Sequence, residues 1–249
     1  MDEVYRRLLN SEDDSAPDFS WNAIVTSADT SKLKKYLYKS LRTENKVISK
    51  EDWLERASVN LKYDSARAVC KFALLVSSHD TIPDSNNPGL MKKGHKGVAV
   101  YFDYVHWSSS DLKTIEHVAP QSDGNSGWDK EIYREQLEHS VGNLTLLPTS
   151  INSSVGNRSW EEKEIYFRHL AKKDEVELLR IRDEAANKGI VLSAETLELL
   201  TGATYANHVA PIVALSSSVG EPKWDRNLIE NRARRICDLL WDHVEPWLK

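Results

Sequence analysis

The sequence has little of what would mark a protein for export, for a membrane or for a cysteine-built metal site. Two cysteines, Cys70 and Cys237, occur in 249 residues. A disulfide framework or a cysteine-rich zinc site is therefore excluded. Both cysteines lie in apolar helical patterns and read as free core thiols, a usage that suits a reducing, cytoplasmic compartment. No apolar run approaches the roughly 18 residues that mark a membrane-spanning helix. Met1 to Leu9 is charged and amphipathic, without the apolar centre of a signal peptide. Ten glycines never gather into a phosphate-cradling loop, and no segment repeats. An excess of positive charge is missing too. At a net charge of -5, affinity for nucleic acid requires basic residues gathered locally or supplied by another domain.

What is present is an ordinary globular composition, 40% hydrophobic and 29% charged, enough for one large domain or two small ones. Apolar spacing predicts mostly helix. Val4, Tyr5, Leu8 and Leu9 make one face of a short N-terminal helix, followed by an acidic, Pro17-containing connection, so residues 1–20 read as an appendage and 21–249 as the main domain. Further helices are expected over Ser31 to Ser40, from Ser49 through the acidic first turn of Glu51 and Asp52, and over the strongly apolar Ser65 to Ser77. His79 to Gly97 reads as a long irregular excursion carrying Lys92, Lys93, His95 and Lys96, which is either a phosphate-backbone contact or a solvated lysine cluster. Val98 to Trp107 fits neither strand nor helix cleanly. Helix is expected again over Trp160 to Ala171, onward through 172–187 to Gly189, and over Ser193 to Leu200. Thr201 to Pro222 reads as a loop with a buried patch at Ile212 to Leu215, and a last helix spans Asn227 to Trp241 with arginines on its exposed face. The eight tryptophans sit mostly in helical patterns and read as packing anchors rather than base-stacking platforms.

The chemistry concentrates between Thr114 and Lys163. Thr114 to Pro120 is an apolar run interrupted only by Glu116 and His117. Gly142 to Pro148 is a second apolar run that opens on Asn143, and the two are expected to pair as an antiparallel hairpin. Asn152 follows five residues later, where the chain turns into helix. Hydrolysis of a phosphodiester needs a base for the attacking water and positive charge for the phosphate. A neutral imidazole and a divalent ion supply these. Neighbouring strand residues point to opposite faces, but at a strand end or bend they can approach one centre from two directions, so Glu116 and His117 are expected to divide the labour around a single ion with Asn152, the carboxylate on the ion and the imidazole on the water. An amide oxygen such as that of Asn152 is a hard ligand suited to magnesium. Asn157 is an alternative to Asn152. His139, just before the second strand, reads either as a surface histidine or as a phosphate or metal contact.

The order Glu116-His117, Asn143-Leu144-Thr145-Leu146-Leu147 and Asn152 resembles the HNH nucleases. It is most similar to the DUF1524 branch, the C-terminal nuclease domain that accompanies a DUF262 domain in GmrSD-like and SspE-like modification-dependent restriction proteins. The resemblance implies an α+β fold, a mostly helical domain built around a small ββα-metal core within residues 112–170. It implies catalytic roles for His117 as general base and Asn143 as the residue bracing it and its loop, with Glu116 and Asn152 as metal ligands. It implies magnesium, or manganese, as cofactor, DNA as substrate, and a DUF262-type NTPase or DNA-sensing domain, absent from this chain, as partner. Lys163 matches a lysine recurrent in that family and reads equally as a phosphate contact or a structural salt bridge. The expected activity is metal-dependent nicking or double-strand cleavage in a prokaryotic defence system. An RNA-directed nuclease and a degenerate binding module are the alternatives.

Overall fold

The computed structural model describes residues 30–122, 127–171, 174–202, 207–216 and 224–249. The N-terminal helix expected over Asp2 to Leu9 and its acidic connection lie outside them. Three helices come first: α1 (Thr30–Thr43), α2 (Lys50–Asn60) and α3 (Tyr63–Ser78). The Ser49 hydroxyl accepts the Asp52 amide while the Asp52 carboxylate takes the Ser49 amide, so α2 starts in a capping box. The excursion after α3 is less irregular than its composition suggests. Strands β1 (Thr81–Pro83) and β2 (Met91–Lys93) pair antiparallel across it, with Ile82 opposite Lys92. Each is three residues long and one contains proline, too short for an alternating pattern to register.

A short helix, α4 (Tyr104–Ser108), ends the undecided stretch; the residues before it form neither strand nor helix. Then come β3 (Thr114–His117), α5 (Lys130–Arg134), β4 (Leu144–Leu147), α6 (Thr149–Val155), α7 (Trp160–Leu170), α8 (Glu175–Asn187), α9 (Ala194–Gly202), α10 (Ala210–Ser216) and α11 (Arg226–Leu248). The Ile212 to Leu215 patch expected in a loop is helix α10. Pro211 sits in its first turn, where a missing amide proton costs nothing, so proline does not break the helix here. Helix α11 outruns its expected end at Trp241 by a further seven residues, among which Val244 packs against the core and Leu248 is buried.

The fold is α+β and mostly helical, and its second hairpin is central. In the β3–β4 pair, Ile115 lies opposite Leu146 and His117 opposite Leu144, while Thr114 lies opposite Leu147 and Glu116 opposite Thr145. Because side chains alternate along a strand, Ile115, His117, Leu144 and Leu146 share one face and Thr114, Glu116, Thr145 and Leu147 the other. The first face packs into a core with α3 and α11, through Cys70, Ala73, Leu74, Ala233, Ile236 and Cys237. The second meets a core of Ile151, Val155, Tyr166, Phe167 and Ile212 from α6, α7 and α10. A strand covered on both sides has no wet face, which is why β3 and β4 read as continuous apolar runs.

Candidate active site on the central hairpin

His117 and Glu116 stand at the end of β3 and are carried to opposite sides of the hairpin. His117 is buried beside Tyr63, the first residue of α3, whose ring meets the imidazole edge-on at 4.7 Å between centroids. Its Nδ1 lies 3.3 Å from the Gln121 amide and its Nε2 lies 3.4 Å from Nδ1 of His139. Burial, with the nearby charges of His139, Lys163 and Arg67, pushes the imidazole down to about 4. It is therefore neutral at neutral pH, the form that can accept a proton.

On the other face, Glu116 is held by Lys163 of α7. The ammonium donates to Glu116 Oε1 at 2.6 Å and to the carbonyl of His117 at 2.8 Å, and its side chain is 1% exposed. Burial pushes the Glu116 carboxyl up and the Lys163 ammonium down, while the attraction between them opposes both shifts. Of the two readings for Lys163, the geometry is that of a buried ion pair. Asn152 reaches the same strand from α6: its amide donates to the Thr114 hydroxyl (2.9 Å) and the Ile115 carbonyl (3.3 Å). Those bonds fix the amide and leave its oxygen as the atom able to take a cation. Asn157, by contrast, is exposed in the turn between α6 and α7.

Asn143 touches no open surface. Its Oδ1 accepts the Ala119 amide (2.8 Å) and the Trp224 indole (2.9 Å), and its Nδ2 donates to the carbonyls of Ala119 and Glu138 (2.8 Å each). Its own carbonyl takes the Val118 amide at 2.8 Å. All four side-chain hydrogen-bonding positions used here are filled, so Asn143 locks the loop after His117 to the loop before β4. Arg232 of α11 adds to this lock by donating one Nη1 to the carbonyls of Gly142 (2.7 Å) and Leu144 (2.8 Å). Trp224, Arg232, Tyr63 and Gln121 carry no sequence signal as site residues. The first two lie over eighty positions from their partners and read as core and helix face. The lysine loop is elsewhere engaged: Lys93 is paired with Asp242 at 2.5 Å and Lys92 with Asp84 at 3.8 Å.

A divalent ion can be tested against these donors. Glu116 and Asn152 offer a carboxylate and an amide oxygen, the hard donors magnesium takes. Among the described residues no three His, Cys, Asp or Glu side chains cluster into a cage. Two such oxygens would leave most positions of an ion to water or phosphate, and Lys163 already occupies the one carboxylate.

These features describe a helical domain whose polar chemistry converges on one buried hairpin and the helix that follows it. A family model describing the C-terminal domain of GmrSD restriction endonucleases matches residues 10–239, and the chain belongs to that family. The family is one of restriction endonucleases, and the match runs far beyond the fifty residues that carry the resemblance. No curated protein matches the chain. No helix among the described residues is long and apolar enough to cross a membrane.

Proposed function

We propose that this domain is an HNH-type, metal-dependent DNA endonuclease in which His117 is the general base. The observation that carries the reading is the neutral His117 at the tip of β3, braced by Asn143 and followed in order by β4 and the Asn152 helix. His117 takes a proton from water as the water oxygen bonds to phosphorus, the bond to the 3′ oxygen breaks, and that oxygen is protonated from solvent. Glu116 and Asn152 would hold magnesium or manganese, which when bound supplies positive charge to the phosphate and the leaving oxygen. Gln121 and His139 orient the imidazole from its two nitrogens. Asn143, saturated by its own hydrogen bonds, positions and does not react. The net charge of -5 supports delivery to DNA by a partner, for which a DUF262-type NTPase domain or subunit is the proposal, in the cytoplasm of a cell defended by restriction.

The test is cleavage of supercoiled plasmid by wild type and His117→Ala, with magnesium, with manganese and with chelator. Metal-dependent nicking or cutting lost in the variant supports the reading. Cleavage that persists without His117 removes it as base. One observation favours a second reading, binding without cleavage: the single carboxylate of the site is already neutralised by Lys163. That reading predicts plasmid binding that survives chelator and intact plasmid under every condition.

A further inference from the structure

Arg67 stands apart from every other described arginine. Ten of these make ion pairs or donate to carboxylates or carbonyls, and Arg232 is buried on two carbonyls. Arg67 makes neither an ion pair nor a hydrogen bond. Its guanidinium is exposed and lies 5.2 Å from the centroid of the Tyr63 ring. In a chain of net charge -5, a guanidinium left without a counter-charge is the exception. It lies on the His117 side of the hairpin.

The surroundings of Arg67 are built rather than incidental. Tyr63 and Arg67 flank a kink at Ala66 (φ -145°, ψ 48°) at the start of α3, and across it the guanidinium is brought over the Tyr63 ring. Tyr63 meets His117 edge-on at 4.7 Å and stacks on His139 at 6.2 Å with 14° between planes. The backbone there is tied to the segment carrying His139. The Tyr63 amide donates to the His139 carbonyl (2.8 Å), the Val141 amide to the Leu61 carbonyl (3.0 Å), and Lys62 bridges Ser140. A cation, an aromatic face and two imidazoles are therefore held together by a stretch outside the family-like motif.

We propose that Arg67, with Tyr63 and His139, forms a phosphate subsite that receives the nucleic-acid backbone beside His117. The physical case is that a planar guanidinium presents paired donors matching two phosphate oxygens. The cation-π contact with Tyr63 at 5.2 Å restrains the side chain before the phosphate arrives, so less side-chain freedom is lost on binding. The inference rests on the nuclease reading above and deepens it by naming a backbone contact beside His117, at the start of α3.

The experiment is binding of a fluorescein-labelled 20-base-pair duplex to the full chain in chelator, over a series of salt concentrations. Wild type, Arg67→Ala, Arg67→Lys and His117→Ala are compared, each with a thermal midpoint. Arg67→Ala is expected to weaken binding about tenfold and to reduce the salt slope by about one. Arg67→Lys is expected to restore the slope and only part of the affinity, since it keeps the charge and loses the fork. Because Arg67 is exposed, the midpoint stays put. Binding within twofold of wild type at an unchanged slope overturns the subsite, as does absence of any duplex binding by wild type. Plasmid cleavage then separates the two levels. Cleavage lost with His117 but untouched by Arg67→Ala leaves the nuclease standing and removes the subsite. Arg67-dependent binding without cleavage by any protein keeps the subsite and removes the nuclease.

Discussion

Lys163→Met tests the least usual feature of the site, an ammonium buried against the carboxylate proposed to hold a metal. Methionine keeps most of the lysine stem's volume, so the cost is electrostatic rather than a cavity. The variant loses a 2.6 Å bond to Glu116 and a 2.8 Å bond to the His117 carbonyl, both away from solvent. Removing one member of a buried pair leaves an uncompensated charge and costs about 3–5 kcal/mol. The carboxyl has one escape, which is to take up a proton. Its folded pKa, already pushed above the ordinary value by burial, rises further without the ammonium. The folded state then binds a proton that the unfolded state has released, so the penalty is small near pH 4.5 and grows as pH rises. Adding Glu116→Gln removes the charge altogether, and the double variant is expected within about 1 kcal/mol of wild type. The assay is urea denaturation of the four proteins from pH 5 to 8, followed by tryptophan fluorescence and closed as a thermodynamic cycle. Single-variant costs below about 1 kcal/mol that simply add, with no pH trend, would refute a buried pair.

Asn143→Ala strips four hydrogen bonds from a fully buried position and is expected to cost about 2–4 kcal/mol in the same urea assay; a loss under about 1 would mean that the two loops hold without it. His169 and His208 are pushed down to about 4 by burial, and His117 likewise. The unfolded chain therefore binds more protons than the folded one between about pH 6.5 and 4, where stability falls by up to roughly 1.4 kcal/mol per pH unit for each group; an unchanged urea midpoint from pH 7 to 5 contradicts this. Manganese is expected to raise the thermal midpoint of wild type and to do so less for Asn152→Ala, while Asn157→Ala responds as wild type does; equal shifts in all three would take Asn152 out of the ligand set.

The hairpin was legible because it is local. Two apolar runs, Thr114 to Pro120 and Gly142 to Pro148, announce two paired strands, and the structure adds that both faces are covered and that alternation sends the carboxylate and the imidazole to opposite sides. Helices α2, α3 and α7 were legible from spacing and from caps such as Ser49 and Asp52. Contacts made across the sequence were not legible. Trp224 looks like any core tryptophan until its indole is seen on the Asn143 oxygen, and Arg232 looks like a solvated face until it is found on two carbonyls of the β4 entry. The lysine loop misled in the opposite sense. Its charges look free in sequence, yet Lys92 and Lys93 meet Asp84 and Asp242, whereas Arg67, the described arginine without an ion pair or hydrogen bond, lies within a helix that reads as scaffold.

Those long-range contacts also explain why the family extends so far beyond its motif. The Gly142-Asn143 pair reads as the start of a strand, but what requires glycine there is α11. A Cβ on residue 142 would run into the Ile229 carbonyl and the Ala233 amide of that helix. No rotamer relieves a clash with backbone, so any side chain at 142 pushes α11 off the hairpin. Moving α11 breaks the Arg232 bonds to Gly142 and Leu144, and the neighbouring Trp224 bond to Asn143 lies just before the same helix. Through Asn143 the loop that follows His117 then loses its anchor at Ala119. His117 is positioned by a chain of contacts running from β3 through the Asn143 loop to the last helix. A fragment carrying the fifty-residue motif alone would keep every residue of the proposed chemistry and lose the packing that holds His117 in place.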